Sequence, residues 1–319
     1  MPRDLTHRTI ATNGISMHVA EQGEGPPVVF CHGFPEFWYS WRHQMQALAA
    51  AGYHAVAPDQ RGYGGTDRPE EIEAYDILHL TGDLIGLLDA LGEERAVFVG
   101  HDWGAAVVWQ LALMHPERVA GVVAMSVAYL PRPPAPPTKL LEAAFPERSM
   151  YILYFQEPDR ADRELGRDVR TTMSRAVMDL SGDAPRGSGG RVVTDLAGWL
   201  ERTGEPPALP PWFTAEDLDL FVDEFSRTGF TGGLNWYRNI DRNWELTAGL
   251  EGAKVEVPAL FVAGERDVIL RMTPAEIMDD WVPDLRGKLI LPGAGHWVQQ
   301  ERPDEVNAAL MEFLAAIDW

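Results

Sequence analysis

Val97-Phe98-Val99-Gly100-His101-Asp102-Trp103-Gly104-Ala105-Ala106 is the stretch from which the rest of the chain can be read. An apolar, β-branched run ends at Gly100, and a helical pattern begins just after Gly104. The predicted order is strand, tight turn and helix, with one reactive side chain, Asp102, at the apex. Glycines on either side of an apex suit strained backbone, where a Cβ would collide with the neighbouring strand or helix. The layout is that of a Gly-x-Ser-x-Gly nucleophile elbow with aspartate in place of serine. A serine must lose a proton before it attacks. An aspartate is already an anion at neutral pH and can attack an alkyl carbon directly. Taken alone, the stretch would equally suit an aspartate that caps the following helix.

The flanking sequence decides between these readings. Upstream, Ile10–Ala20 alternates loosely and predicts one or two edge strands about the Asn13-Gly14 turn. Val28-Val29-Phe30-Cys31 is fully apolar, as expected of a strand buried on both faces, and runs into His32-Gly33-Phe34-Pro35. Trp38–Ala50 predicts a helix, Ala55-Val56-Ala57 a buried strand, and Tyr75–Leu91 a helix stopped by Gly92. Gly62–Gly65 lacks the spacing and lysine of a phosphate-binding loop and is taken as a packing turn. Downstream, Val119–Met125 predicts the next strand. Strands and helices alternating in this way predict an α/β fold with a mostly parallel sheet flanked by helices.

The rhythm stops at Leu130. Pro131-Arg132-Pro133-Pro134-Ala135-Pro136-Pro137 predicts a stiff connector, and helical patterns dominate from Thr138 to Trp244. Two loops interrupt them, Asp183–Arg191 and Glu205–Pro211. Strand alternation resumes at Pro258–Ala263 and Leu289–Leu291, followed by a terminal helix over Pro303–Ile317. A sheet interrupted and then continued implies a core of residues 1–130 and 245–319, with 131–244 inserted as a helical lid over its carboxyl edge.

Composition narrows the class of partner. In 319 residues, 27 Lys and Arg stand against 48 Asp and Glu, a net charge of −21. Such a chain repels nucleic acid and anionic membrane and disfavours large polyanionic substrates. The single cysteine, Cys31, forms no intramolecular disulfide, and no apolar signal core follows Met1-Pro2-Arg3-Asp4-Leu5. The expectation is a cytoplasmic protein that contacts neither membrane nor nucleic acid.

Two further loops supply chemistry. Leu260–Ala263 leads into Gly264-Glu265-Arg266-Asp267, and Leu291-Pro292-Gly293-Ala294-Gly295-His296-Trp297 sets a histidine after the last predicted strand. Singly, Asp267 could cap a loop and His296 could be structural. The chain order nucleophile, acid, histidine, each after its own strand, predicts a triad of Asp102, Asp267 and His296. Backbone N–H groups of Phe34 and Trp103 are then candidates for an oxyanion hole. His101, His43, His54 and His115 are taken as structural, and Cys31 as a small buried filler.

These motifs resemble those of the α/β-hydrolase-fold epoxide hydrolases over essentially the whole chain, without an additional N-terminal phosphatase-like domain. His32-Gly33-Phe34-Pro35, Gly100-His101-Asp102-Trp103-Gly104 and Gly295-His296-Trp297 carry the resemblance in the core. In the lid, Tyr151-Ile152-Leu153-Tyr154-Phe155-Gln156-Glu157-Pro158 and Gly229-Phe230-Thr231-Gly232-Gly233-Leu234-Asn235-Trp236-Tyr237-Arg238-Asn239 are similar to the family's two tyrosine segments. The resemblance implies that Tyr151 and Tyr237 bind the epoxide oxygen, with Tyr154 as a packing aromatic. It also implies that His32, Pro35, Trp103, Trp236 and Trp297 contact substrate. The implied partners are a small apolar epoxide and water, with no cofactor and no metal; a homodimer is left open. The nearest rival is a haloalkane or haloacid dehalogenase with the same Asp-His-Asp triad. It would need halide-binding donors such as Trp103, has no use for paired phenols, and usually carries asparagine where Phe34 stands. An esterase lacks support without Gly-x-Ser-x-Gly, and a non-catalytic binding protein on this fold would have a broken triad.

Overall fold

The computed structural model describes residues 5–145, 150–185 and 208–319. Strands β1 (Thr6–Thr12) and β2 (Ile15–Gln22) form a hairpin about Asn13 and Gly14, both with positive φ (42° and 79°). The remaining strands are β3 (Pro27–Cys31), β4 (His54–Pro58), β5 (Ala96–His101), β6 (Val119–Met125), β7 (Ala259–Gly264) and β8 (Leu285–Leu291). They make one eight-stranded sheet in the order β1-β2-β4-β3-β5-β6-β7-β8, in which β2 runs against both of its neighbours. Every residue of β3, β5, β6 and β7 is buried. That is why these strands are continuous apolar runs rather than alternating ones.

The pleat sends successive side chains of each strand to opposite faces. On one face, Val28, Phe30, Val97 and Val99 pack with Trp41, Leu48, Leu310 and Phe313. Those partners come from α1 (Arg42–Ala50), the 3-10 turn before it, and the terminal helix. On the other face, Val29, Cys31 and Phe98 meet α2 (Ile77–Leu91) and α3 (Trp103–Met114). Between β6 and β7 the chain forms α4 (Pro137–Ala144), α5 (Tyr151–Tyr154), α6 (Arg160–Arg167), α7 (Val169–Leu180), α8 (Ala215–Thr228), α9 (Thr231–Arg238) and α10 (Ile240–Leu246). β7 then returns to pair in parallel with β6, Val122 opposite Ala259, so the helical segment is an insertion into one sheet. Helices α11 (Met278–Trp281), α12 (Val298–Glu301) and α13 (Pro303–Ala315) complete the chain.

Local capping trims the predicted helices. Trp38–Ala50 divides into a 3-10 turn, Trp38–Trp41, and α1. The Tyr75–Leu91 helix restarts at Ile77 because the Asp76 carboxylate accepts the His79 N–H at 3.1 Å and caps it. Pro137 ends the proline-rich connector as the first residue of α4, a position where a missing N–H breaks no helical bond. Of the two lid loops, 186–191 and 205–207 lie outside the described residues. Among the described residues, no helix is long and apolar enough to cross a membrane.

Candidate active site

At the end of β5 the chain turns sharply, and Asp102 takes φ 51° and ψ −118°. That backbone is costly for a residue with a Cβ and persists only where the surroundings dictate it. Here they do: a methyl on Gly104 would overlap the Cys31 carbonyl, and one on Gly33 would run into the Asp102 side chain. The two loops therefore touch backbone to side chain. The Phe34 N–H donates to Asp102 Oδ1 at 2.9 Å, beside a cis Phe34–Pro35 peptide. Trp103 opens α3, so its N–H has no acceptor four residues back, and the helix N-terminus favours negative charge beside it.

The other carboxylate oxygen faces the histidine. His296 Nε2 stands 3.7 Å from Asp102 Oδ2, and His296 Nδ1 is 3.1 Å from Asp267 Oδ2. Asp267 also accepts the Ile269 N–H at 2.9 Å. The structure thus brings Asp102, His296 and Asp267 together from the ends of β5, β8 and β7. Burial alone would lower the His296 pKa, but the charge and hydrogen bond of Asp267, then Asp102 and Glu36, outweigh it and raise it to about 9. Burial would raise Asp267; the His296 charge and hydrogen bond reverse this and hold it below the usual carboxylate range.

Above this floor the insertion contributes Tyr151 from α5 and Tyr237 from α9, ring centroids 5.9 Å apart. Both line a cavity with Asp102. Burial, reinforced by the Asp102 charge, pushes each phenol pKa up, so both hydroxyls keep their protons as donors. α9 is tied to the core: Trp236 Nε1 donates to the Arg61 carbonyl at 3.1 Å, and Gly232 is pressed against Gly62. Tyr154 instead bonds Glu164 and does not line the cavity. Among the described residues, two arms leave Asp102. A narrow arm of about 70 Å³ runs past Phe34, Pro35 and His296, and a wide apolar arm of about 490 Å³ past Trp103, Leu141 and Met272.

The expected substrate contacts divide into two groups. His32, Trp236 and Trp297 are not among the described residues lining either arm, whereas Pro35 and Trp103 are. Each of the first three makes a hydrogen bond to backbone. His32 Nε2 accepts the Gln60 N–H at 3.0 Å, Trp236 Nε1 donates to the Arg61 carbonyl, and Trp297 Nε1 to the Val177 carbonyl at 3.0 Å. These bonds hold the three rings in place.

One supporting group escaped the sequence. Glu36 Oε2 lies 2.7 Å from His101 Nδ1, and His101 Nε2 donates to the His296 carbonyl at 2.8 Å. Glu36 also accepts from Gly33 N–H and Gln299 Nε2. Burial would raise its pKa, but His101 and the Gly33 N–H hold it at about 2. His101 thus braces the histidine loop. Adjacency of Glu36 to the His32–Pro35 run was the available signal, but its partners His101 and Gln299 lie far away in sequence.

Comparison with known proteins adds the family. The description "alpha/beta hydrolase fold" matches residues 26–303. The chain is similar to epoxide hydrolase A of Mycobacterium tuberculosis, 53% identical over 98% of each chain. It is similar to epoxide hydrolase 1 of Siraitia grosvenorii, 40% identical over 97% of this chain and 98% of that one. Its fold superposes on the crystal structure of epoxide hydrolase A from Mycobacterium thermoresistibile with a TM-score of 0.94, at 53% identity over 99% of each chain.

Proposed function

Since the chain belongs to the α/β-hydrolase family, and within it to the epoxide hydrolases, we propose that it converts an epoxide and water to a vicinal diol through an alkyl ester on Asp102. Residues 131–244 act in this reading as the lid of a core formed by 1–130 and 245–319. The observation that carries it is the division of labour at one carboxylate. Oδ1 is held by the Phe34 N–H, Oδ2 is left facing the cavity and His296, and two neutral phenols line that cavity.

Oδ2 attacks a ring carbon while Tyr151 and Tyr237 hydrogen-bond the epoxide oxygen, and one phenol transfers its proton as the C–O bond breaks. Proton donation of this kind contributes about 10²–10⁴-fold. Asp267 does most to hold the His296 pKa up; alkylation removes the further contribution of the Asp102 charge and so lowers that pKa, which favours His296 acting as a base in the second step. It takes a proton from water, whose oxygen adds to the ester carbonyl carbon. Charge then develops on Oδ1, where the Phe34 and Trp103 N–H groups stabilise it; one such donor is worth about 10²–10³-fold. Collapse expels the diol oxygen, which takes the proton from His296; Asp102 returns as a carboxylic acid carrying an oxygen from water, and its proton passes back to the phenolate left by ring opening. The unequal arms favour an unsymmetrical apolar epoxide with its larger substituent in the wide arm. The single buried Cys31 thiol suits a cytoplasmic setting.

Purified protein offered styrene-type and aliphatic epoxides, haloalkanes and fluoroacetate should release diol and no halide. A single turnover in ¹⁸O-water should label Asp102 rather than the diol. Halide without diol, or label in the diol alone, would overturn the reading.

A further inference from the structure

Lid and histidine loop meet on one carboxylate that the reaction above does not use. Glu301, the last residue of α12, is 7% exposed. Its Oε2 accepts the N–H of Gly295 and the N–H of Gly182, each at 2.9 Å, and its Oε1 accepts the Trp297 N–H at 3.2 Å. Gly295 and Trp297 flank His296; Gly182 belongs to the lid, just past α7. Around this point the same lid segment is fastened repeatedly. The His296 N–H donates to the Leu180 carbonyl at 2.8 Å and Trp297 Nε1 to that of Val177 at 3.0 Å. Arg266, the neighbour of Asp267, binds the carbonyls of Gly182 and Ala184. The fit is closed, since a methyl on Gly182 would overlap the Gly293 carbonyl oxygen.

We propose that Glu301 is a positioning residue that makes the seating of the lid and the placement of His296 a single structure, serving hydrolysis of the ester rather than its formation. This rests on the epoxide hydrolase reading. A buried carboxylate is stable only with donors around it, and three buried N–H groups need an acceptor; each requirement answers the other. Without the carboxylate the three N–H groups must find water, and the segment on either side of His296 moves to let it in. A shift of about 1 Å at a reacting group costs about 10²-fold. Ester formation stands on other supports: Asp102 on the β5 elbow, and Tyr237 on α9, which the Trp236–Arg61 bond ties to the core away from α7.

The test separates the two half-reactions in the full-length protein, by rapid quench and intact mass with styrene oxide. Glu301→Ala should form the ester within about threefold of the wild-type rate and hydrolyse it at least about tenfold more slowly, so that ester accumulates. Glu301→Gln keeps an oxygen for both glycine N–H groups and should recover most of the hydrolysis rate. Gly182→Ala, which breaks the contact from the lid side, should accumulate ester as well, and stands in if Glu301→Ala fails to fold. Unchanged hydrolysis in Glu301→Ala or Gly182→Ala, equal slowing of both steps, or a glutamine variant no better than alanine would overturn the proposal. A wild-type protein that forms no ester would instead overturn the function beneath it.

Discussion

The floor of the site and its lid reach similar precision by different physics. On the floor, Asp102, Asp267 and His296 follow the ends of β5, β7 and β8, parallel strands of one sheet, and the backbone itself aims them. Asp102 is fixed by a strained turn between glycine contacts so close that no other side chain fits. In the lid, Tyr151 sits on a four-residue helix and Tyr237 on an eight-residue one, neither attached to the sheet. Their places come from ring packing, with Phe155 5.0 Å and Trp103 5.0 Å from Tyr237, and from single hydrogen bonds such as Trp236 to Arg61. Backbone geometry places Asp102, and packing places the two phenols. Damage to the floor should therefore abolish chemistry, while damage to the lid should weaken it in steps.

The largest effect tests the floor. Asp102→Ala should lower turnover on the order of 10⁴-fold or more while leaving the circular dichroism spectrum and melting temperature nearly unchanged. Substantial remaining diol formation would remove Asp102 from its role. His296→Gln should form the ester but not hydrolyse it, and the intact mass after mixing with epoxide should rise by that of the substrate. The lid comes next. Tyr151→Phe and Tyr237→Phe should each slow alkylation about 10²-fold, and together should nearly stop it. If one variant alone stops the reaction, the two phenols are not equivalent partners and the stepwise picture fails.

A finer test uses charge. The folded His296 pKa of about 9 lies above its ordinary value of 6.5. Its contribution to stability is thus complete below pH 6.5 and is lost as pH rises through 9. Urea unfolding midpoints should fall across that window, and less so in Asp267→Asn. In Asp102→Asn, which removes the same charge as the ester does, the His296 ring should titrate lower than in the wild type when followed by NMR. The smallest effect is structural. Trp236→Phe leaves the Arg61 carbonyl without its donor and should cost about 1–3 kcal/mol of stability, with only a modest loss of rate.

The strand runs, the elbow glycines and the order Asp102, Asp267, His296 were legible because each is a local pattern: buried parallel strands are apolar throughout, and a sharp turn admits only small neighbours. Tyr151 could be preferred to Tyr154 only through a resemblance. In the structure Tyr154 bonds Glu164 and Tyr151 lines the cavity. The backbone hydrogen bonds of His32, Trp236 and Trp297 were not legible, because an aromatic residue beside a sequence motif looks the same whether its ring nitrogen meets a carbonyl, an N–H or open space.

By itself the sequence determined the layered sheet and the inserted helices, and it singled out Asp102, Asp267 and His296 as candidates, because burial period and turn stereochemistry act over a few residues. Only the tertiary structure decided which oxygen of Asp102 is held and which is left facing His296, and that Glu36 and Glu301 brace the histidine loop. Those facts are distances between groups far apart in the chain, and hydrogen bonds and Coulomb interactions depend on that separation in space rather than on separation in sequence.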